Sequence, residues 1–257
     1  MLQEILRNKR EELGALRQQR LPAPPPLRSV ALRRAPGDPL RLIAEIKRRS
    51  PSAGALSTRL GVAERARAYE AAGAQMLSVL CDAKYFDGAY EHLGLARGAT
   101  NLPILCKEFV IDEAQLDAAR AYGADAVLLI VRCLSAASLA MLVRGAEQRG
   151  LLPLVEVHGP SEMQTALDAG ARVVGVNARD LDTLKLDAAQ ARRVLEALPE
   201  TICKVHLSGI HEASQVAEVA RSKVDAALIG EGLMRADDPT DLLRSMVSAA
   251  STSGPSR

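Results

Sequence analysis

Charged side chains end several short apolar segments of this chain, in a pattern that suits acid–base chemistry. Glu45 and Lys47 lie two residues apart at the end of the first segment, so a β-strand would place both side chains on one face. Lys107, Glu156 and Asn177 end three later segments. An ammonium group can donate a proton or stabilise a developing oxyanion, and a carboxylate can accept a proton. These residue types predict an active site built from the ends of several strands.

Arg179 and His158 extend this pattern, because each follows a candidate residue at a spacing of two. A lone charged residue at a strand end is usually a solvated boundary residue. Charges that converge inside a fold, however, are costly unless they are paired or used. We therefore include Arg179 in the site and expect His158 to be a hydrogen-bonded histidine at a strand end.

Eight apolar segments, many of them rich in Val, Leu and Ile, position these residues. They begin near residues 41, 75, 103, 126, 152, 173, 203 and 226, and a charged, helix-periodic stretch follows each one. Four of those stretches end in a glycine, which can adopt the left-handed conformation that turns a helix into the next strand: Gly73, Gly123, Gly150 and Gly170. Alternation of this kind favours parallel pairing.

These eight units predict an α/β fold, a single (β/α)8 TIM barrel with an N-terminal helical extension. A doubly wound nucleotide-binding sheet would show G-x-G-x-x-G after its first strand, whereas this chain has Ser50-Pro-Ser-Ala-Gly54. We assign residues 1–40 to the N-terminal helix, ending near residue 19, and a proline-rich connector. Residues 41–250 are assigned to the barrel and residues 251–257 to a disordered tail.

Small residues after the last two predicted strands indicate a phosphate site. Ser208 and Gly209 follow the seventh segment, and Gly230 and Glu231 follow the eighth. In barrels of this type, phosphate commonly binds backbone N–H groups of these two loops. We therefore expect a phosphorylated small-molecule ligand.

Composition excludes several other classes of partner. The 33 basic and 31 acidic residues nearly balance, so the chain lacks the strong positive field of a nucleic-acid or anionic-membrane binder. Aromatic residues make up 2%, which leaves no base-stacking platform. No apolar run is long enough to span a bilayer, and the first ten residues carry charges where a signal peptide needs an apolar stretch, so we predict a cytoplasmic protein. The sequence does not distinguish a monomer from a homodimer.

Cysteine and histidine spacing gives no sign of a metal site. The four cysteines contain no C-x-x-C pair, as is typical of reduced, buried thiols. His206 and His211 lie five residues apart, which is not a metal-binding helix spacing. We assign no chemistry to these two histidines.

Long, ordered segments of the chain resemble the indole-3-glycerol phosphate synthase family over roughly residues 1 to 248. The matching segments include Ile43-Ala-Glu-Ile-Lys-Arg-Arg-Ser-Pro-Ser-Ala-Gly54, Pro103-Ile-Leu-Cys-Lys-Glu-Phe-Val-Ile-Asp112, Leu154-Val-Glu-Val-His158, Gly175-Val-Asn-Ala-Arg-Asp-Leu181 and Leu228-Ile-Gly-Glu-Gly-Leu-Met234. The resemblance implies a carboxy-lyase of tryptophan biosynthesis. This enzyme closes the ring of 1-(2-carboxyphenylamino)-1-deoxyribulose 5-phosphate with loss of CO₂ and water, and uses no cofactor or metal.

The resemblance also implies a role for each candidate residue. Lys107 is expected to be the general acid, and Lys47 either contacts the substrate carboxylate or acts as an acid in the later loss of hydroxide. Glu156 is expected to be the base or the partner of a cationic intermediate, with Glu45 and Asn177 assisting. The remaining roles are substrate binding by Ser50, Pro51, Phe86, Phe109, Arg179 and Ser208, and phosphate binding by Gly209, Gly230 and Glu231. From the residues themselves we further expect a cationic neighbour to lower the pKa of either lysine.

Two positions depart from the family pattern. Leu207 stands where the family usually has a glutamate, and Ala89 stands where it usually has a serine. These departures keep open a repurposed or weakly active paralogue that binds a phosphorylated ligand. A phosphosugar isomerase or a Schiff-base aldolase on the same barrel is a further alternative, because a lysine at a strand end and a phosphate site could serve any of these reactions.

Overall fold

The structure is a computed structural model that describes residues 1–51 and 54–251 of the 257-residue chain. Residues 252–257 of the predicted tail lie outside the described residues.

Eight parallel strands form a closed barrel, which confirms the predicted fold. The strands are β1 (Arg41–Ile46), β2 (Met76–Leu80), β3 (Ile104–Lys107), β4 (Ala126–Ile130), β5 (Leu152–Val157), β6 (Val173–Asn177), β7 (Cys203–Leu207) and β8 (Ala226–Ile229). The barrel closes where Ile43 of β1 pairs with Leu228 of β8 on one side and Met76 of β2 on the other. Each strand begins within about one residue of its predicted start.

Helices separate the strands and surround the barrel. They are α1 (Leu2–Gln18), α2 (Val62–Ala71), α3 (Ala83–Phe86), α4 (Tyr90–Ala99), α5 (Glu113–Ala121), α6 (Ala136–Gln148), α7 (Pro160–Asp168), α8 (Ala188–Ala197), α9 (Ala213–Ala220), α10 (Glu231–Arg235) and α11 (Thr240–Ala250). Side chains of Asp112, Ser135 and Asp187 cap the first turns of α5, α6 and α8 by accepting backbone N–H bonds. The four predicted helix-ending glycines have φ between 73° and 97°, as expected. A short hairpin, Arg49–Ser50 with Gly54–Ala55, was not predicted.

Two apolar cores stabilise this arrangement. One core lies between the strands and the outer helices, and alternate strand residues such as Leu77, Val79 and Cys106 point into it. The other core fills the barrel interior and contains Met76 and Leu105 from the same two strands. The period-two alternation of a strand therefore decides which side chains can reach the barrel mouth.

The first forty residues contact both ends of the barrel. Helix α1 places Leu2, Ile5 and Leu6 in the interior core, beside aromatic residues that follow β2 and β3. The connector then runs to the amino ends of the strands, where the backbone N–H groups of Arg28 and Arg34 donate to Asp125 and Asp225. Each aspartate directly precedes a barrel strand, so the connector is fastened to the amino-terminal end.

None of the helices in the described ranges is both long enough and apolar enough to cross a membrane.

Candidate active site

The carboxyl ends of the strands surround a cavity of about 130 Å³. All of the residues proposed for the site on sequence grounds line this cavity: Glu45, Lys47, Ser50, Pro51, Phe86, Lys107, Phe109, Glu156, Asn177, Arg179, Ser208, Gly209, Gly230 and Glu231. They come from the ends of β1, β3, β5 and β6 and from the loops after β1, β2, β7 and β8. The structure therefore brings the predicted set together at one end of the barrel.

Glu45 lies at the centre of a compact ion network. One carboxylate oxygen lies 2.7 Å from Nζ of Lys47, and the other lies 2.6 Å from Nζ of Lys107. Burial opposes ionisation of this carboxyl, but the two ammonium groups lower its pKa to about 2. Glu45 is therefore a carboxylate at neutral pH and holds both lysines toward the cavity.

Lys107 departs from the electrostatic prediction. Burial would lower the pKa of its ammonium group, but the carboxylates of Glu45 and Glu156 outweigh burial and raise that pKa above its ordinary value. The expectation that a neighbouring cation would lower the pKa is wrong for Lys107, because Glu45 lies between the two lysines and bonds to both. Lys107 is consequently protonated at neutral pH and able to donate its proton.

Glu156 is a second buried carboxyl, and its pKa is raised where that of Glu45 is lowered. Burial raises its pKa, and the charge of Lys107 and a hydrogen bond from Asn177 offset only part of that rise. Nδ2 of Asn177 donates to Oε1 of Glu156 over 2.9 Å. A raised pKa brings this carboxyl closer to neutrality, where it can exchange a proton during a reaction.

Two hydrogen bonds accepted by its side-chain oxygen hold the Asn177 amide in a single orientation. Oδ1 accepts hydrogen bonds from the backbone N–H of Arg179 at 2.9 Å and from Oγ of Ser208 at 2.8 Å. The amide NH₂ group must therefore point to Glu156. Ser208 has a left-handed φ of 67°, a conformation that costs energy for a residue with a side chain and is often found at functional sites.

The loops after β7 and β8 meet the ion network directly. Gly209 follows Ser208 with a φ of 87°, and Gly230 lies against the Glu45 carboxylate. A Cβ atom at residue 230 would lie 2.4 Å from Oε1 of Glu45 and 3.3 Å from Nζ of Lys47. Only glycine fits there without displacing the network.

An apolar wall completes the cavity, and part of it was missed by the sequence analysis. The rings of Phe86 and Phe109 lie with their centroids 6.0 Å apart. Helix α1 adds Leu2 and Ile5, which are almost fully buried. The apolar stripe of α1 did not show by itself which surface the helix covers, whereas the family resemblance implies that the helix contributes near the active-site side. Further lining residues outside the prediction are Met1, Leu80, Glu108, Leu128, Ile130, Leu181, Leu184, Ile210, His211 and Leu228.

His158 has the structural role predicted for it. Its Nδ1 donates a 2.9 Å hydrogen bond to the backbone oxygen of Asn177. Within the described part of the chain, no group of three His, Cys, Asp or Glu side chains is arranged to hold a metal ion.

Leu207 lies in the barrel interior and is almost fully buried. Gly175 on the neighbouring strand makes room for it, since a Cβ atom there would lie 2.6 Å from Cδ1 of Leu207 and 2.8 Å from Cδ2 of Leu154. The position that usually carries a family glutamate is therefore packed with apolar atoms.

The closed barrel and the ammonium and carboxylate groups at its carboxyl mouth define a TIM-barrel enzyme. A solved structure of 3-hexulose-6-phosphate synthase from Salmonella typhimurium shares this fold, with a TM-score of 0.66, 13% identity, and coverage of 82% of this chain and 98% of that one. The chain belongs to the indole-3-glycerol phosphate synthase family, whose model matches residues 2–246. It is thus a carboxy-lyase of tryptophan biosynthesis.

Curated relatives agree with this family. The indole-3-glycerol phosphate synthase of Mycobacterium avium is 42% identical over 227 residues, which cover 88% of this chain and 83% of the relative. That of Mycolicibacterium smegmatis is 40% identical over 237 residues, which cover 92% of this chain and 86% of the relative. These matches do not favour the isomerase, aldolase or repurposed-paralogue alternatives.

Proposed function

We propose that the cavity at the barrel mouth is the site where 1-(2-carboxyphenylamino)-1-deoxyribulose 5-phosphate closes to indole-3-glycerol phosphate. The observation that carries this proposal is the convergence of Lys107, Glu45 and Glu156 in one cavity beside the loops after β7 and β8. These groups can supply a proton and remove one without leaving their places.

Lys107 is the general acid of the first step. The ring carbon that bears the substrate carboxylate attacks the ketone carbon, and the ketone oxygen takes the proton of the Lys107 ammonium group. Loss of CO₂ then returns the bonding electrons to the ring. The raised pKa of Lys107 supports this role, because the proton is present at neutral pH before attack begins.

Glu156 acts in the second stage. The new hydroxyl group leaves as water with a proton from the Lys47 ammonium group, and Glu156 then removes a carbon-bound proton so that the five-membered ring becomes aromatic. Asn177 keeps the Glu156 carboxylate in place through its 2.9 Å hydrogen bond. Ser208 supports the same geometry through Asn177.

Lys47 binds the anionic substrate on the side of the phosphate loops. Its ammonium group is paired with Glu45 and lies close to Gly230. We assign the substrate carboxylate to Lys47 and the phosphate to the backbone N–H groups of Gly209, Gly230 and Glu231. Arg179 orients the substrate between these two charged ends.

Apolar side chains hold the anthranilate ring. Phe86 and Phe109 form one wall of the cavity, and Pro51 lies at its rim. Ser50, in the same loop after β1, lines the cavity as well. We propose that this loop, of which residues 52–53 lie outside the described residues, closes over the bound substrate.

The test of this function is direct turnover. Purified protein incubated with the carboxyphenylamino-deoxyribulose phosphate should release CO₂ and develop the absorbance and fluorescence of an indole. Absence of an indole product at high enzyme concentration would overturn the proposal. Borohydride treatment in the presence of substrate should leave Lys107 unmodified, whereas a covalent adduct would point to the aldolase alternative.

We further propose that the enzyme acts on this small molecule without a nucleic-acid or membrane partner. The near balance of charge supports this proposal. The cytoplasmic location and the independence from cofactors and metals remain predictions.

A further inference from the structure

A second cluster of charges lies on the outer side of β3, beneath α1. Nζ of Lys9 lies 2.8 Å from Oδ2 of Asp82 and 3.1 Å from Oε2 of Glu108. All three side chains are almost completely buried, and only Glu12, which also contacts Lys9 at 2.8 Å, is exposed. The proposed reaction uses none of these groups.

Each partner of Lys9 belongs to an element that forms the cavity. Glu108 lies between Lys107 and Phe109, and its second oxygen accepts the backbone N–H of Phe109 at 2.7 Å. Asp82 caps α3, the short helix that carries Phe86, by accepting the N–H of Tyr85 at 2.7 Å. One ammonium group therefore connects the end of β3, the start of α3 and the middle of α1.

The position of α1 decides whether the cavity wall is complete. Lys9 lies about one turn after Ile5, and Leu2 and Ile5 line the cavity beside Phe86 and Phe109. The C-terminal half of the helix is tied to the barrel by weaker, more exposed contacts, such as the ion pair of Arg17 with Asp112. Lys9 is thus the buried charged attachment nearest the wall residues.

We propose that Lys9 is a positioning residue for the reaction, whose ammonium group holds α1 on the barrel mouth so that Leu2 and Ile5 close the substrate cavity. This inference rests on the proposed function, since it needs substrate to occupy that cavity. Lys9 acts through the wall residues and through Phe109, and it does not contact the substrate.

The charge of the cluster changes with pH, so the role of Lys9 can be tested by varying the pH. Lys9 faces two buried carboxyls, and burial, opposed by the charge of Lys9, raises the pKa of Glu108 to about 7. The other groups that face Glu108 are Glu12 of α1, Asp82, the thiols of Cys81 and Cys106, and the Tyr90 hydroxyl of α4. Above neutral pH, Glu108 ionises and depends on Lys9 to remain buried.

The first experiment compares Lys9→Met with Arg17→Met in the full chain. Methionine keeps the apolar stem of Lys9 and removes its charge, so α1 should loosen and the substrate KM should rise by about tenfold, with kcat changed by less than about twofold. Arg17→Met removes an exposed ion pair of the same helix and should leave KM unchanged. An unchanged KM in folded Lys9→Met would overturn the proposal.

The second experiment measures pH dependence, which a role in packing alone would not produce. The KM of Lys9→Met relative to the unmodified enzyme should increase from pH 6 to pH 9, because Glu108 has no counter-ion in this variant when it ionises. Adding Glu108→Gln to Lys9→Met should remove that increase. A KM ratio that stays constant with pH would overturn the role assigned to the ammonium group of Lys9, because methionine keeps the stem and removes only the charge.

A third variant keeps the inference testable if Lys9→Met does not fold. Leu2→Ala with Ile5→Ala leaves the charge cluster intact and removes the wall, so its KM should rise as in Lys9→Met. An unchanged KM would overturn the positioning role. Failure of the proposed function is distinguishable, because the unmodified enzyme would then form no indole product, whereas failure of the positioning role would leave its turnover intact and the KM of the variants unchanged.

Discussion

Two lysine–carboxylate clusters lie on opposite sides of the same strand end. The side chain of Lys107 points into the cavity, where it forms the cavity cluster with Glu45, Lys47 and Glu156. The side chain of Glu108 points outward and forms the outer cluster with Lys9 and Asp82. The lysines of the cavity cluster are partly exposed, with side chains 14% and 21% accessible, and Lys9 is 2% accessible. Adjacent residues in the chain thus belong to two different electrostatic environments.

The two clusters differ in charge balance as well as in exposure. In the cavity, two ammonium groups lower the pKa of Glu45 to about 2, so this carboxylate does not take up protons at neutral pH. In the outer cluster, one ammonium group serves two fully buried carboxyls, and the pKa of Glu108 rises to about 7. Similar residue types therefore produce a carboxyl of lowered pKa in the cavity and a carboxyl of raised pKa beneath α1.

The largest effect expected from this contrast is on turnover by Lys107→Ala. Removing the proposed general acid should lower kcat by about 10³-fold, within the range for general acid–base catalysis, while substrate binding stays detectable. Its free energy of unfolding should change little, because Lys47 still neutralises Glu45. Steady-state kinetics and urea unfolding check the two expectations. Lys223→Ala, which removes an exposed ion pair, is the matched control, and full activity in Lys107→Ala would contradict the assignment.

Lys9→Met should have the reverse effect of Lys107→Ala, with a large loss of unfolding free energy and little change in kcat. Breaking a buried ion pair from one side costs about 3–5 kcal/mol of unfolding free energy. The folded pKa of Glu108 lies above its ordinary value of 4.5, so stability from its bound proton is lost as pH rises through about 7. The charge of Lys9 lowers this pKa, so Lys9→Met should raise it further and should go on losing stability at a pH where the unmodified protein no longer does. The deficit of Lys9→Met in urea unfolding should therefore deepen between pH 6 and pH 9. A loss as small as that of Arg17→Met would remove the contrast between the clusters.

Asn177→Ala should have a smaller effect, on rate and on pH dependence together. The hydrogen bond from Asn177 lowers the pKa of Glu156, so its removal should raise that pKa further. A base with a raised pKa must lose its proton at higher pH, and the acid limb of kcat/KM should move upward. We expect kcat to fall by about tenfold at neutral pH. An acid limb that stays in place would mean that Glu156 is not the base.

Leu207→Glu tests whether the cavity cluster lacks a carboxylate. Because residue 207 packs against Leu154 and Gly175, a glutamate there should lower the melting temperature and change kcat by less than about threefold. Leu207→Gln, with similar shape and no charge, separates the cost of charge from that of size. A rise in kcat of tenfold or more would instead support a weakened paralogue.

The smallest effect should come from metal removal. The proposed reaction takes its positive charge from Lys47 and Lys107, so dialysis against EDTA should leave kcat and KM unchanged. Loss of activity that returns with a divalent cation would show that the lysines do not suffice.

Much of the site could be predicted from the sequence because strand periodicity is regular. Glu45 and Lys47 share a face by their spacing, and the ends of parallel strands meet at one edge, so their meeting with Lys107 followed from the fold. The pKa of Lys107 was not predictable, because it depends on distances to Glu45 and Glu156 rather than on which residues are present.

The outer cluster, in contrast, could not be predicted from the sequence. Lys9 and Glu108 are 99 positions apart, and nothing in the local pattern pairs them. The amphipathic stripe of α1 predicts a buried face but does not distinguish the mouth of the barrel from its floor. Sequence periodicity is local, whereas the docking of α1 depends on a contact between distant segments.

The close approach of Gly230 to Glu45 has a consequence for altering this enzyme. A library that randomises the loop after β8 to accept a different anion would, at residue 230, push the Glu45 carboxylate away from both lysines. Specificity and reactivity are therefore not independent traits at this position. Residues 45 and 230 should be diversified as a pair, for example with aspartate at 45 wherever 230 gains a methyl group.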